Sequence, residues 1–206
     1  MITFFNKNVL IAGATGLSRN FALDVAKDRA NVGIFHSDKN ELIELERELG
    51  NLRIRNYGYK CDLSAKEEIA HAVLLYKKQF EMADYILINI DLHDGKDIID
   101  MSFDEVEKEI SSSVDGTICL VKYFIPEIVK KQSGGFIFTV NAKSVSPVGA
   151  AALGAIEKFS AYLNSFFHAN GLKDIFSTVA YVSGTKPNAS ELLKKAVMSG
   201  KKIARV

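Results

Sequence analysis

Short continuous apolar runs alternate along this chain with longer stretches in which apolar residues recur every three or four positions. The first pattern predicts strands buried on both faces, the second amphipathic helices. Val9–Ala12 is the first such run. A glycine turn follows, Gly13-Ala-Thr-Gly16, and then a helix with Phe21, Ala22, Val25 and Ala26 on one side. Asn31–His36 predicts a second strand, and Asp38 opens a helix that faces Leu42, Leu45 and Leu49 inward and ends at Gly50. Arg53–Lys60 predicts a third strand, and Ser64 with Glu67 a capping box for a helix through Ala70, Val73, Leu74 and Lys77. Tyr85–Ile90, YILINI, is apolar enough for a central strand, and Asp91–Ile99 is polar like a loop. A long helix is expected from Phe103 to Lys131, bent at Pro126, which lacks a backbone donor. Gly134-Gly135 leads into a strand over Phe136–Asn141. The next helix, Gly149 to Ala169, offers Ala155, Phe159, Tyr162, Leu163 and Phe166 as its apolar stripe. A strand at Ile175–Tyr181, a short helix at Ser190–Ser199 and a strand at Lys202–Val206 complete the order.

Seven strands alternating with helices predict a parallel, doubly wound, Rossmann-like sheet in a three-layer α/β/α arrangement, with residues 1–206 as one domain. The 206 residues suffice for one sizeable core, and 48% apolar with 25% charged content is ordinary for a folded globule. A net charge of +1 excludes recognition of nucleic acid or an anionic membrane through bulk charge. No apolar run reaches the roughly 20 residues of a membrane span, and MITFFNKN lacks the basic opening of a signal peptide. Cys61 and Cys119 form no CxxC pair and read as reduced structural thiols, which points to the cytoplasm.

Ligands of doubly wound sheets bind at the carboxyl ends of the strands. Here that surface comprises Gly13–Ser18, His36–Ser37, Asp62, Asn89–His93, Asn141–Ser146 and Val182–Thr185. The glycine turn between an apolar strand and an amphipathic helix opens a dinucleotide-binding βαβ unit. Glycine lets the backbone turn sharply beside a pyrophosphate, and free N–H groups at the helix start attract its charge. A tight strand-to-helix turn without a ligand is the plainer alternative. Asp91, His93 and Asp94 cluster after the fourth strand, but His36, His71 and His168 show no spacing that would complete a metal site. A solvated loop is the better reading there.

These motifs together resemble the short-chain dehydrogenase/reductase family over almost the whole chain. Gly16-Leu17-Ser18-Arg19 matches its first helix. Cys61-Asp62-Leu63 matches the pair after strand three, whose carboxylate contacts adenine in the family. Ser113-Val114-Asp115-Gly116-Thr117, Gly134-Gly135-Phe136-Ile137 and Gly154–Ser160 follow in the family's order. The resemblance implies a nicotinamide dinucleotide held by Gly13, Thr15, Gly16, Leu17, Ser18, Arg19, His36, Asp62, Leu63 and Asn89. Read on either of the family's spacings, Ser18 or Arg19 stands in place of the third glycine. Members that prefer NAD carry Asp at the end of strand two. His36-Ser37 stands here, with Lys39 and Arg19 nearby, which favours the 2′-phosphate of NADP. The alternative leaves His36 a partly buried histidine and Arg19 a solvent-facing helix residue.

The family's reaction uses a Ser-Tyr-Lys group with a supporting Asn. The phenol moves the proton, and Lys lowers its pKa and holds the ribose. Alignment places Ala142 at the Ser position, Gly149 at Tyr, Leu153 at Lys and Ser113 at Asn, so none is retained. Lys158 and Tyr162 have the reverse order and read as an exposed lysine and a packed tyrosine. The Ala142–Gly149 loop is shorter than usual, the Asn-Asn-Ala-Gly segment is Asn89-Ile90-Asp91-Leu92, and Tyr181-Val182 replaces Pro-Gly. The helices that cover substrate in the family look deleted between Pro187 and Ser190. The expected function is a nucleotide-binding or partner-binding module without the usual hydride transfer, paired through the two long helices into a homodimer or homotetramer. The alternatives are an NADP-dependent oxidoreductase using Ser144, Tyr181 or His93, and a scaffold within a larger complex.

Overall fold

The computed structural model describes residues 4–90, 92, 96–141, 146–182, 189–198 and 203–205. Seven strands form a single sheet: β1 (Asn8–Ala12), β2 (Asn31–His36), β3 (Asn56–Lys60), β4 (Tyr85–Ile90), β5 (Gly134–Asn141), β6 (Ile175–Val182) and β7 (Ile203–Arg205). Their order is β3-β2-β1-β4-β5-β6-β7, and every neighbouring pair is parallel. This is the expected doubly wound Rossmann-like sheet. The helices are α1 (Gly16–Lys27), α2 (Lys39–Gly50), α3 (Lys66–Phe80), α4 (Phe103–Ile110), α5 (Gly116–Lys131), α6 (Pro147–Ala169) and α7 (Ala189–Met198).

Each face of the sheet buries its own core. Val9, Ile11, Val32 and Ile34 pack with Phe21, Val25, Leu42, Leu45, Leu49 and Leu193 of α1, α2 and α7. Leu10, Phe35, Ile86, Ile88, Phe136 and Phe138 pack on the other face with Tyr76, Phe80, Leu120, Phe124, Ile156 and Leu163 of α3, α5 and α6. Alternate side chains of one strand enter opposite layers, so a strand apolar at every position suits only a sheet covered twice.

The sheet's edge groups are met by side chains. On edge strand β3 the Gly58 N–H donates to Glu46 of α2 at 2.6 Å. At the start of β6, Asn164 of α6 donates to the Ser177 carbonyl at 2.7 Å and accepts its N–H at 2.9 Å, as a neighbouring peptide would. Such pairing removes open ladder positions that would otherwise template association.

Three local expectations fail. Ser64 does not cap α3: its N–H and hydroxyl both turn back to Asp62 Oδ1, and α3 starts from Ala65 with no side-chain cap. An aspartate two residues upstream competes successfully for the serine, as Asx turns do. The long helix from Phe103 is interrupted at Ser111–Asp115 by a π segment, while α5 runs on through Pro126. The stripe read on α6 faces outward. Ala152, Ile156, Ser160, Leu163 and Phe167 are buried, whereas Tyr162 is 66% exposed and Phe166 36% exposed. Only Leu163 of the expected stripe is in the core. The helix is apolar on nearly every side, so spacing alone admits two faces, and the sheet takes the smaller residues because they allow closer approach.

Backbone crowding fixes the relation of α5 to the loop after β3. A Cβ on Gly116 would lie 2.3 Å from the Leu63 carbonyl oxygen. Gly116→Ala is therefore expected to destabilise the fold by about 1–3 kcal/mol, read as a lower midpoint in thermal unfolding. Arg29 ends α1 in the left-handed region (φ 67°), where its N–H and that of Ala30 close on Ala26 and Val25 carbonyls. Glycine suits this cap better than arginine, so Arg29→Gly is expected to stabilise by about 1 kcal/mol in the same melting experiment.

Candidate functional site: the carboxyl edge at the sheet's reversal

The strand order reverses between β1 and β4, where a crevice opens at the carboxyl ends of the strands. Gly13 stands at its base with φ +74°, and a Cβ there would lie 3.1 Å from the Asn89 carbonyl oxygen of β4. Its N–H donates to the Phe35 carbonyl of β2 at 2.9 Å. Gly13 thus fits between two strands only because it has no side chain. Gly16 (φ +49°) opens α1, and a Cβ at this position would meet nothing within 4 Å. Thr15, before it, is extended and gives α1 no side-chain cap. The first amides of α1, including that of Leu17, have no intrahelical acceptor, and the helix dipole favours an anion beside them. Open space over uncapped amides fits a pyrophosphate.

Ser18, in the place of a third glycine, is fully buried, and its hydroxyl lies 2.7 Å from both the Gly13 and the Thr15 carbonyl oxygens. The serine therefore packs without opening the turn. Beneath it, Asn89 donates to Thr15 Oγ1 at 3.2 Å and accepts from Thr139 of β5 at 2.9 Å. One chain of side-chain hydrogen bonds joins the ends of β1, β4 and β5.

The wall at the end of β2 is built differently from a simple basic pocket. His36 is 4% exposed, and its Nδ1 accepts the Asp38 N–H at 2.9 Å. That bond assigns the ring proton to Nε2, which lies 3.1 Å from Glu41 Oε2 without hydrogen-bond alignment. Asp38 caps α2 through the N–H groups of Asn40 and Glu41. Arg19 is paired with Glu48 of α2 at 2.8 Å, and Lys39 is exposed.

Asp62 accepts the Ser64 N–H at 2.9 Å and its hydroxyl at 2.8 Å, while its own N–H donates to Glu68. The Ser64 amide, with the hydroxyl, holds the Asp62 carboxyl below the usual range despite some burial. Leu63 packs partly on the core, its carbonyl against Gly116. The neighbouring Cys61 is buried, and this pushes its thiol up to about 12, as a structural cysteine requires.

The positions that the sequence alignment sets against the family's reacting residues hold other contacts. Ser113 is buried in the π segment, and its hydroxyl donates to the Glu109 carbonyl. Gly149, also buried, donates its N–H to Ser146 Oγ at 2.8 Å, and Leu153 packs on the core. Ala142, like Ser144, His93, Asp91 and Asp94, lies outside the described residues, as does the segment before Ala189 where substrate-covering helices look deleted. Lys158 is exposed, and Tyr162 is exposed rather than packed as expected. Tyr181 packs on the core with a buried hydroxyl that has no hydrogen-bond partner among the described residues. No group of three metal-ligating side chains occurs among those residues.

One residue at this edge was not foreseen. Glu109 of α4 is 1% exposed, and the Ser146 hydroxyl lies 2.9 and 3.1 Å from its carboxylate oxygens. In sequence it is one acid among several in FDEVEKEI, and that pattern would turn Phe103 inward. Phe103 is instead 93% exposed.

Because Asp62 is held below its unfolded value, its ionised form stabilises the fold at neutral pH, and this contribution is lost as pH falls through the folded value. Wild type is expected to melt above Asp62→Asn at pH 7, with the gap closing toward pH 3 as the wild-type carboxylate protonates. Melting curves of the two proteins across that range check this.

The profile of the short chain dehydrogenase family matches residues 7–162. Epidermal retinol dehydrogenase 2 of Mus musculus is 26% identical over 157 residues, covering 74% of this chain and 50% of the relative. An uncharacterized oxidoreductase of Schizosaccharomyces pombe is 26% identical over 147 residues, 70% of this chain and 56% of its own. The chain thus spans about half the length of these curated relatives. Among solved structures, a short chain dehydrogenase/reductase from Burkholderia phymatum in complex with NAD superposes with a TM-score of 0.92 at 14% identity, over 100% of this chain and 90% of that one. A metagenomic short-chain oxidoreductase in complex with NADP gives 0.83 at 15% identity, over 98% and 96%. These similarities are of fold, and the family match runs from just before β1 into α6. The chain belongs to the short chain dehydrogenase family.

Proposed function

We propose that this protein is a nucleotide-binding member of its family that does not carry out the usual hydride transfer, and that it works as a binding module. The observation that carries this is the contrast at one edge of the sheet. The glycine turn, the uncapped start of α1 and the Thr15–Asn89–Thr139 chain keep what a pyrophosphate needs. Gly149 and Leu153, where a phenol and an ammonium would be required, offer neither a proton nor a charge. NADP is the expected ligand rather than NAD, supported by Arg19 and Lys39 near the end of β2 and the lack of Asp there. Cytoplasmic residence fits the two free thiols, Cys61 and Cys119.

Self-association through the long helices is part of the same reading. Ala155, Tyr162 and Phe166 are exposed on α6, and Ile118 on α5 is 41% exposed. A second copy would cover these residues, and a homodimer or homotetramer follows.

A second reading, an active NADP-dependent oxidoreductase, is favoured by Tyr181. Its phenol is buried without a partner among the described residues, beside the carboxyl end of β6, and a phenol is the group missing at Gly149. Calorimetric titration with NADP and NAD, followed by NADPH oxidation with a panel of aldehydes and ketones, separates the readings. Binding of NADP tighter than NAD without turnover is the expected result. Turnover lost in Tyr181→Phe would establish the oxidoreductase instead, and no heat with either nucleotide would remove the nucleotide from the function.

A further inference from the structure

Arg19 lies one turn into α1, and its guanidinium Nη2 reaches sideways to Glu48 Oε1 of α2 at 2.8 Å. Glu48 belongs to the last turns of a helix that starts beside the end of β2. The arginine therefore points along the outer surface between two helices, not over the crevice. Its side chain is 28% exposed and that of Glu48 38%. At that exposure an ion pair holds its partners only weakly, so Arg19 can be drawn away by a stronger anion. The carboxylate does not leave with it: Glu48 stays on α2 within an arginine's reach of α1, so a phosphate that recruits Arg19 also feels its charge through solvent. Other charges near the end of β2 are mixed, with Asp38 and Glu41 against Lys39, and His36 has its Nδ1 lone pair taken by the Asp38 N–H. No other arginine pairs with α2 among the described residues.

We infer that Glu48 is a specificity-determining residue: by holding Arg19 against α2 it lowers the affinity for a nucleotide that carries a 2′-phosphate, and so sets the ratio of NADP to NAD binding. The inference rests on the nucleotide reading above and refines it, because Arg19 supports NADP there. A 2′-hydroxyl gains nothing from a freed guanidinium and loses little to a nearby carboxylate, so NAD is indifferent to Glu48. A 2′-phosphate is sensitive to both effects, and they have the same sign. Glutamine at this position keeps the volume and removes the charge, leaving a neutral hydrogen bond that a phosphate displaces easily.

The test is calorimetric titration of the full chain with NADP and NAD in wild type, Glu48→Gln, Arg19→Leu and the double variant. Glu48→Gln is expected to tighten NADP by roughly threefold to tenfold, as for one like charge at partly screened separation, and to leave NAD unchanged. In the Arg19→Leu background most of that gain is expected to vanish. Equal tightening of both nucleotides, or a full gain without Arg19, would overturn the inference while leaving nucleotide binding intact. An unchanged ratio in Glu48→Gln, with both nucleotides still bound, would overturn it as well. No binding of either nucleotide by any of the four proteins would overturn the nucleotide reading, and this inference with it. Circular dichroism of each variant separates a lost fold from a lost ligand.

Discussion

The passage of Gly13 over β4 is the constraint from which the rest of this edge is built. The loop leaves β1 at contact distance from the Asn89 backbone, in a conformation that L side chains rarely adopt. That closeness lets Thr15 reach Asn89, and Asn89 reach Thr139, so three strand ends share one hydrogen-bonded line. It also sets the direction of α1, whose first amides then stand over the reversal of the sheet. A side chain at Gly13 would lift the loop, break that line and swing the helix start away from the crevice. Ser18 closes the turn from the other side through the Gly13 and Thr15 carbonyls, so a hydroxyl takes over the close packing that a third glycine gives elsewhere in the family.

Legibility in the sequence follows how few answers each local pattern allows. Asn31–His36 and Tyr85–Ile90 were readable to the residue, because a run with no polar face fits only a strand covered on both sides. Asp38 was readable as a cap because nothing nearby competes for the amides of Asn40 and Glu41. Ser64 was misread because Asp62 does compete. The burial of α6 was misread because Ala155–Phe166 and Ala152–Phe167 are both helix-spaced, and the choice depends on which face the sheet can approach. At the nucleotide edge the residue types were legible, but their pairings were not. Arg19 was read as a phosphate partner or as a solvent-facing helix residue, and its pairing with Glu48 was not legible, because Glu48 is distant in sequence and close in space.

Glu109 marks the part of the fold that periodicity describes backwards. α4 is strongly amphipathic, yet its fully buried residue is an acid and its first apolar residue is almost fully exposed. The acid is tolerable because the Ser146 hydroxyl donates to it at the start of α6, where the helix dipole favours negative charge. The same hydroxyl accepts the Gly149 N–H, so α4 and α6 are locked through one serine at the point where the family's tyrosine would stand. Just after Glu109 the helix passes into the π segment at Ser111–Asp115.

The opposite end of the sheet shows what this edge leaves unused. Asp84, nearly buried before β4, accepts the Asn8 N–H, sits between Lys7 and Lys131, and through its backbone bonds Asn8 and Gly135. There one buried carboxylate and its own peptide groups tie β1, β4 and β5 together. At the carboxyl end the Ser18 amide turns back to the Thr15 carbonyl at 3.0 Å, and Thr15 gives α1 no side-chain cap. Exposed amides at a helix start are met by water or by an anion, and the helix dipole favours the anion. That charge-attracting helix start, with Gly149 and Leu153 aligned where the family carries its phenol and ammonium, is what supports the proposed binding role over catalysis.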